Sequence, residues 1–172
     1  MKLYILRHGE AAEHFDSRYK EAERPLTQKG IERTRQLAHA LRQMEIPFDT
    51  ILSSPLTRAR QTAEIVARGV KGHVQIASEL AGSDLSNLVE HIDRLRPEPD
   101  VLLLVGHEPH LSSLISLLCT GGDGLSVKLK KGALCRLNID KLSAGKCATL
   151  EWLWQPRVVG LKKAKRKGKK EI

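Results

Sequence analysis

Aromatic residues are scarce in this chain: Trp, Tyr and Phe occur twice each among 172 residues. A core built from this composition must rest mainly on Leu, Ile, Val and Ala. Cysteine is scarce too. Cys119, Cys135 and Cys147 form an odd set without metal-ligand spacing. That argues against a secreted disulfide framework and fits a reduced, cytoplasmic setting. Long apolar runs are missing, and nothing approaches the ~18 residues a bilayer crossing requires. The opening Met1-Lys2-Leu3 leads quickly to charge at Arg7 and Glu10. A secretory signal needs a longer apolar stretch followed by small residues. Neither a Gly-x-Ser-x-Gly elbow nor a phosphate-loop motif occurs.

The chain is long enough for one domain with a substantial core, expected over residues 1–159. The net charge of +9 is unevenly spread. Residues 160–172 hold seven Lys or Arg and one Glu, leaving 22 basic and 19 acidic residues elsewhere, a net of +3. This terminal run has no aromatic to stack on a base and no apolar stripe to enter a membrane. It reads as a solvated, flexible tail, with weak contact to a polyanion as the alternative.

The body alternates strand-like and helix-like segments. Leu3 to Leu6 is a short buried strand. Residues 10–26 are polar and irregular, with five acidic and three basic side chains. Thr27 is placed to cap a helix bearing Ile31, Thr34, Leu37, Ala38 and Leu41, which ends before Pro47. Phe48 to Ser53 is a second strand. Ser54-Pro55 predicts the next helix start, with Ser54 as cap and Gly69 as the stop. Val74 to Ile76 is a short strand, and Leu85, Leu88, Val89, Ile92 and Leu95 mark another amphipathic helix. Val101 to Val105 has the uniform apolarity of a central parallel strand. It leads through Gly106-His107-Glu108-Pro109 to a helix carrying Leu111, Leu114, Ile115 and Leu118, closed by the glycines from Gly121. Segments 133–139 and 148–154 look like edge strands. This order predicts an α/β three-layer sandwich: a mostly parallel central sheet with helices on both faces. Ligands of such sheets bind at the carboxyl ends of the strands.

Three junctions reach that edge. Arg7-His8-Gly9 ends the first strand with a permanent fork of donors, a titratable nitrogen nucleophile and a residue that permits close backbone approach. Arg58 lies near the start of the second helix, where free amides and the dipole already favour an anion. The bland alternative for Arg58 is a surface pair with Glu64; Arg60 is its rival for the anion. His107 follows the most apolar strand.

Arg7-His8-Gly9-Glu10-Ala11, Ser53 to Glu64 and Val105-Gly106-His107-Glu108-Pro109 together resemble the histidine phosphatase superfamily, which includes the cofactor-dependent phosphoglycerate mutases. The similarity runs in order to about residue 155. It implies a phosphoglycerate mutase-like fold, with His8 attacking phosphorus and becoming transiently phosphorylated. Arg7, Arg58 and His107 would surround the phosphoryl oxygens and bind substrate. No cofactor or metal is implied. A backbone carbonyl near Gly9 is the expected acceptor for the second nitrogen of His8. Only about 30 residues separate Gly69 from Val101, so the chain looks most like the SixA-type phosphohistidine phosphatases, without the larger lid of other members.

The leaving group separates the candidate reactions. An ester leaves as an alkoxide and needs a proton donor, whereas a phosphohistidine leaves as an imidazole and needs less help. Glu79 reads as a strand-end residue and Asp84 as a helix cap. Neither has the glycine-tryptophan-glutamate context of acid-bearing relatives. Ala11, Ala12 and Glu13 replace the Thr and Asn that mutases carry after Arg-His-Gly.

The expected activity is hydrolysis of phosphohistidine in a signalling or phosphotransfer protein. The alternatives are hydrolysis of a small phosphoester or nucleotide by the same mechanism, and a non-catalytic phosphate-binding module. His107 with His110, and His14 with Asp16, lack an evident third metal ligand. His39, His73 and His91 are expected to be exposed, and Ser112 and Ser113 to be plain helix surface.

Overall fold

The computed structural model describes residues 1–156; the basic run 160–172 lies outside the described residues. The uniformly apolar segment forms β4 (Val101–Gly106), with every residue buried. It pairs in parallel with β1 (Lys2–Arg7), Arg7 lying opposite Gly106. On its other side it pairs in parallel with β2 (Thr50–Ser53), Ser53 lying opposite Val105. The outer neighbour of β2 is β3 (Val74–Ile76), also parallel. The register therefore brings the carboxyl ends of β1, β2 and β4 level with one another.

The last two strands, β5 (Leu134–Ile139) and β6 (Ala148–Trp154), run antiparallel and complete a six-stranded sheet in the order β3-β2-β4-β1-β5-β6. The sequence places both at an edge. Only β6 is one; β5 lies against β1, and Leu134, Cys135, Leu137 and Ile139 are buried.

Alternation along the strands divides the core. Tyr4 and Leu6 of β1, with Leu103 and Val105 of β4, face α1 (Gln28–Gln43) and α2 (Thr57–Val70). Leu3, Ile5, Leu102 and Leu104 face α3 (Leu85–Asp93) and α4 (His110–Thr120). The result is the expected mixed α/β sheet, mostly parallel, with helices on both faces. Among the described residues no helix is long and apolar enough to cross a membrane.

Local signals decide most helix ends. Thr27 accepts a hydrogen bond from the Gly30 amide at 3.0 Å, and Gly121 closes α4 at φ 86°. The start of α2 differs from expectation. The helix begins at Thr57, after Leu56, without a side-chain cap. The Ser54 hydroxyl accepts from the Leu56 amide at 3.3 Å, ahead of the helix, and lies 2.8 Å from His107 Nε2. Nor does Gly69 stop α2, which runs to Val70 and ends at left-handed Lys71. Gly69 permits close helix packing instead: a Cβ there would lie 2.7 Å from the Ala38 Cβ.

Gly30 has a similar and tighter role. An added Cβ would stand 2.0 Å from the Glu10 carbonyl oxygen, in the segment that follows His8. Backbone cannot yield as a side-chain tip can. Gly30→Ala should therefore cost about 1–3 kcal/mol through overpacking. A lowered urea midpoint with an unchanged m-value would show it; an unchanged midpoint would mean the contact relaxes without cost.

Candidate active site

The level strand ends deliver the first groups. His8 leaves β1 and its amide donates to the Gly106 carbonyl at 3.0 Å, while the Ser54 amide donates to Val105 at 2.9 Å. The backbone at each junction is thus fixed to β4. The Gly9 amide donates to Thr62 Oγ1 at 3.0 Å, and that hydroxyl donates to the Arg58 carbonyl at 2.7 Å. Thr62 ties the first turn of α2 to the Arg-His-Gly segment. Gly9 itself is needed for close packing, because a Cβ there would meet Thr34 Oγ1 at 2.8 Å.

These ties set the imidazole. His8 is 5% exposed, and its Nδ1 lies 2.8 Å from the Gly9 carbonyl. A carbonyl only accepts, so Nδ1 carries the proton and Nε2 keeps its lone pair. Arg58 confirms that tautomer by donating from Nε to His8 Nε2 at 3.3 Å. Burial, aided by the charges of His107, Arg58 and Arg7, pushes the His8 pKa down to about 3, against an opposing pull from the Gly9 carbonyl. His8 is therefore neutral at physiological pH.

His107 lies beside it, with ring centroids 5.0 Å apart. Burial and then the charges of Arg58 and Arg7 lower its pKa to about 4. Its Nδ1 is buried without a protein partner, as is Arg7 Nε. Arg7 donates from a terminal nitrogen to the Leu129 carbonyl at 2.7 Å. Arg7, His8, Arg58 and His107, the expected site residues, are gathered at one sheet edge. Arg60 is not among them: it is exposed, 3.7 Å from Glu64. The partner first considered for Arg58 belongs to Arg60.

Arg58 pairs instead with Glu21, in a 3-10 turn (Glu21–Glu23) of the irregular segment. One terminal nitrogen donates to the Glu21 carbonyl at 2.9 Å, and the other lies 2.9 Å from its carboxylate. The same carboxylate accepts from Arg24 at 2.6 and 2.7 Å and faces His14 Nδ1 at 2.7 Å. Arg24 first, then His14 and Arg58, hold its pKa down at about 2. Glu21, Arg24, Ser54 and Thr62 are the functional supports that motif reading missed. Only the clustering of charge in residues 10–26 hinted at the first two.

The carboxylates weighed as acids are occupied elsewhere. Asp84 caps α3, accepting from the Ser86 and Asn87 amides at 2.8 and 3.2 Å. Glu79 lies in a 3-10 turn (Ser78–Ala81), not at a strand end, and faces His91 at 3.1 Å. His91 is accordingly half-buried, whereas His39 and His73 are exposed. Ser112 is not plain surface: its hydroxyl donates to Glu108 at 2.5 Å. Of the metal-ligand candidates, His14 is held by Glu21 and Asp16 by Arg18. Among the described residues no three His, Cys, Asp or Glu side chains converge to hold a metal ion.

The arrangement is a buried neutral imidazole with an outward lone pair, flanked by two guanidinium groups and a second imidazole. It combines a nitrogen nucleophile with stabilisation for an anion having several oxygens. Comparisons with known proteins agree. Residues 3–88 match the family model of the histidine phosphatase superfamily (branch 1). An uncharacterized protein of Picosynechococcus sp. (strain PCC 7002) is 41% identical over 140 residues, covering 80% of this chain and 84% of that protein. The phosphohistidine phosphatase SixA of Escherichia coli K12 is 28% identical over 168 residues, covering 95% and 99%. A solved structure of the protein histidine phosphatase SixA complexed with tungstate superposes with a TM-score of 0.78 at 26% identity, covering 92% of this chain and 99% of that one.

Buried His8 and His107 predict the response to acid, with buried His110 acting in the same direction. The folded pKa values of His8 and His107, about 3 and about 4, lie below the ordinary histidine value of 6.5. The unfolded chain therefore takes up protons that the folded chain refuses, and stability falls as pH drops from about 6.5 towards those values. Unfolding midpoints should decline between pH 7 and pH 5. His8→Gln removes one of these groups, so its decline should be shallower. Equal slopes for the two proteins would mean that His8 is not buried in its neutral form.

Proposed function

The chain belongs to the histidine phosphatase superfamily, and within it we propose that this hydrolase removes phosphate from phosphohistidine on another protein through a phosphorylated His8. The observation that carries this reading is the His8 Nε2 lone pair directed at Arg58. In the first step, Nε2 forms a bond to phosphorus while the bond to the substrate imidazole breaks, and that imidazole leaves with the electron pair. In the second, water attacks phosphorus, the bond to Nε2 breaks, and inorganic phosphate departs. The electron pair of the broken bond returns to Nε2, restoring neutral His8 with its proton still on Nδ1, and the water's proton passes to solvent. Arg7 and Arg58 are the cations that stabilise charge on the equatorial oxygens, with His107 as a further donor. Arg7 Nε and His107 Nδ1 have no protein partner, which suits them to this role.

The choice of phosphohistidine rests on proton supply. Glu79 and Asp84 are engaged by His91 and by backbone amides. An imidazole leaving group makes less demand on an acid than an alkoxide does. A second reading, hydrolysis of small phosphoesters, is favoured by one feature. Glu108 Oε1 is buried without a partner, and the Glu108 charge acts on Arg7. Turnover of a phosphohistidine protein should exceed that of sugar and nucleotide phosphates. Preference for the esters, lost in Glu108→Gln, would establish the second reading instead.

His8→Ala should abolish hydrolysis while retaining part of the phosphate affinity. Rapidly quenched wild-type reactions should contain acid-labile phosphate on His8. Arg58→Ala should lower kcat by about 100-fold or more, as expected for losing one donor to a developing anion. Unchanged turnover in His8→Ala would remove His8 as the nucleophile.

A further inference from the structure

The surface around the mouth of the site is asymmetric in a way that the four central residues do not explain. Phe15 is 93% exposed, in a chain with only two phenylalanines. The other, Phe48, packs edge-on against Tyr4 at 5.1 Å. Phe15 stands next to His14, with ring centroids 5.3 Å apart. His14 contacts Glu21 at 2.7 Å, Glu21 contacts Arg58 at 2.9 Å, and Arg58 contacts His8 at 3.3 Å. An unburied aromatic is thus linked through three side chains to the candidate nucleophile. Leaving a Phe ring in water forgoes the stabilisation that its burial would give.

A second flank of the site is formed by the segment leading into β5, which bonds Arg7 and His8 directly. Residues 125–132 carry Lys128, Lys130 and Lys131 and no acidic residue. Leu129 is buried, and its carbonyl accepts from Arg7 at 2.7 Å. The lysines flanking it are exposed. The Gly132 amide donates to the Arg7 and His8 carbonyls at 3.1 and 3.0 Å. On the other side, Gln155 holds the Lys128 carbonyl and the Lys130 amide at 2.5 and 3.1 Å. The three lysines are therefore carried on a backbone fixed to the site. No ion pair among the described residues involves them. Nearby acids are committed: Glu10 to Lys29 and Arg33, and Asp16 to Arg18.

We propose that Phe15 and the Lys128-Lys130-Lys131 cluster form a docking rim for an acidic protein surface that carries the phosphohistidine, the aromatic supplying apolar burial and the lysines charge complementarity. This deepens the proposed function and rests on it. A lone phosphoryl group held by Arg7, Arg58 and His107 leaves both flanks unused; a folded partner bearing that group meets them together. The acids on the Phe15 side are paired within the chain, Glu10 with Lys29 and Arg33, Asp16 with Arg18 and Glu21 with Arg24, so that side offers an apolar ring beside neutralised charge, which suits a protein surface better than a continuous phosphate backbone. Charge at such a rim acts mainly on encounter and is sensitive to salt.

The test compares two probes on the full chain: a phosphohistidine-bearing phosphotransfer domain with an acidic surface, and the small ion phosphoramidate. Phe15→Ala and the double variant K128E/K130E should each raise KM for the phosphoprotein, by about tenfold for the charge reversal. kcat and phosphoramidate hydrolysis should be unchanged. Added salt should raise the wild-type KM for the phosphoprotein and affect the double variant less. An unchanged KM, or equal losses on both probes, would overturn the rim while leaving the chemistry at His8 intact. So would RNA inhibition of the wild type that the double variant escapes. A wild-type protein that cleaves phosphoramidate but no phosphoprotein would overturn the rim and the protein-substrate reading together.

Discussion

The site depends on one hydrogen bond, from His8 Nδ1 to the carbonyl of Gly9 at 2.8 Å. It fixes the tautomer, and with it the location of the only lone pair that can act as a nucleophile. Burial alone would leave the ring neutral but free to choose which nitrogen carries the proton. The carbonyl settles that choice within the same loop. Much of the fold then serves to hold the loop still. The parallel register sets the end of β1 level with those of β2 and β4. The His8 amide is pinned to Gly106, and Thr62 bonds the Gly9 amide from α2. The first anchor joins main chain to main chain, and the second uses a threonine hydroxyl that is itself held by the Arg58 carbonyl.

Arg58 shows how a buried cation is made tolerable beside this group. A guanidinium has five N–H donors. One points to His8, one to the Glu21 carbonyl and one to the Glu21 carboxylate. Two remain. The carboxylate compensates for the desolvation that pushes the Arg58 pKa down. It also orients the fork so that Nε, not a terminal nitrogen, faces the imidazole. Arg24 and His14 restrain Glu21 in turn, making the irregular segment 10–26 a structural part of the site. Removing Glu21 would leave buried Arg58 and half-buried Arg24 without the carboxylate that both face.

What could be read from the sequence follows the range of the interactions involved. The alternation of strands and helices along the chain, the layers and the placing of Arg7, His8, Arg58 and His107 at strand or helix ends were legible, because short motifs sit at predictable strand ends; the order of strands within the sheet was not. The Gly9 carbonyl was legible because it is a neighbour in sequence. The errors arise where a long-range partner overrides a local signal. Ser54 has the character of a helix cap, but its hydroxyl meets His107 and the Leu56 amide, and α2 starts three residues later. Gly69 has the character of a helix stop, but Ala38 requires its missing side chain, and Lys71 bears the left-handed turn. Segment 133–139 resembles an edge strand until β1 is laid beside it. Glu21 could not be singled out among the five acids of residues 10–26, because its role comes from α2, far along the chain.

In the proposed reaction, the Glu21–Arg58 pair also bears on turnover. A cluster of unopposed cations binds substrate phosphoryl and product phosphate alike, and such uniform binding lowers KM without speeding the chemistry. Placing a carboxylate on the outer edge of Arg58 reduces the net charge seen by a free phosphate dianion. The inner Nε stays in contact with His8 Nε2 at 3.3 Å. Charge that develops only in transfer is met by donors already in place, whereas resting anions meet a partly neutralised pocket. Glu21, with its pKa held at about 2, keeps this character throughout the physiological range.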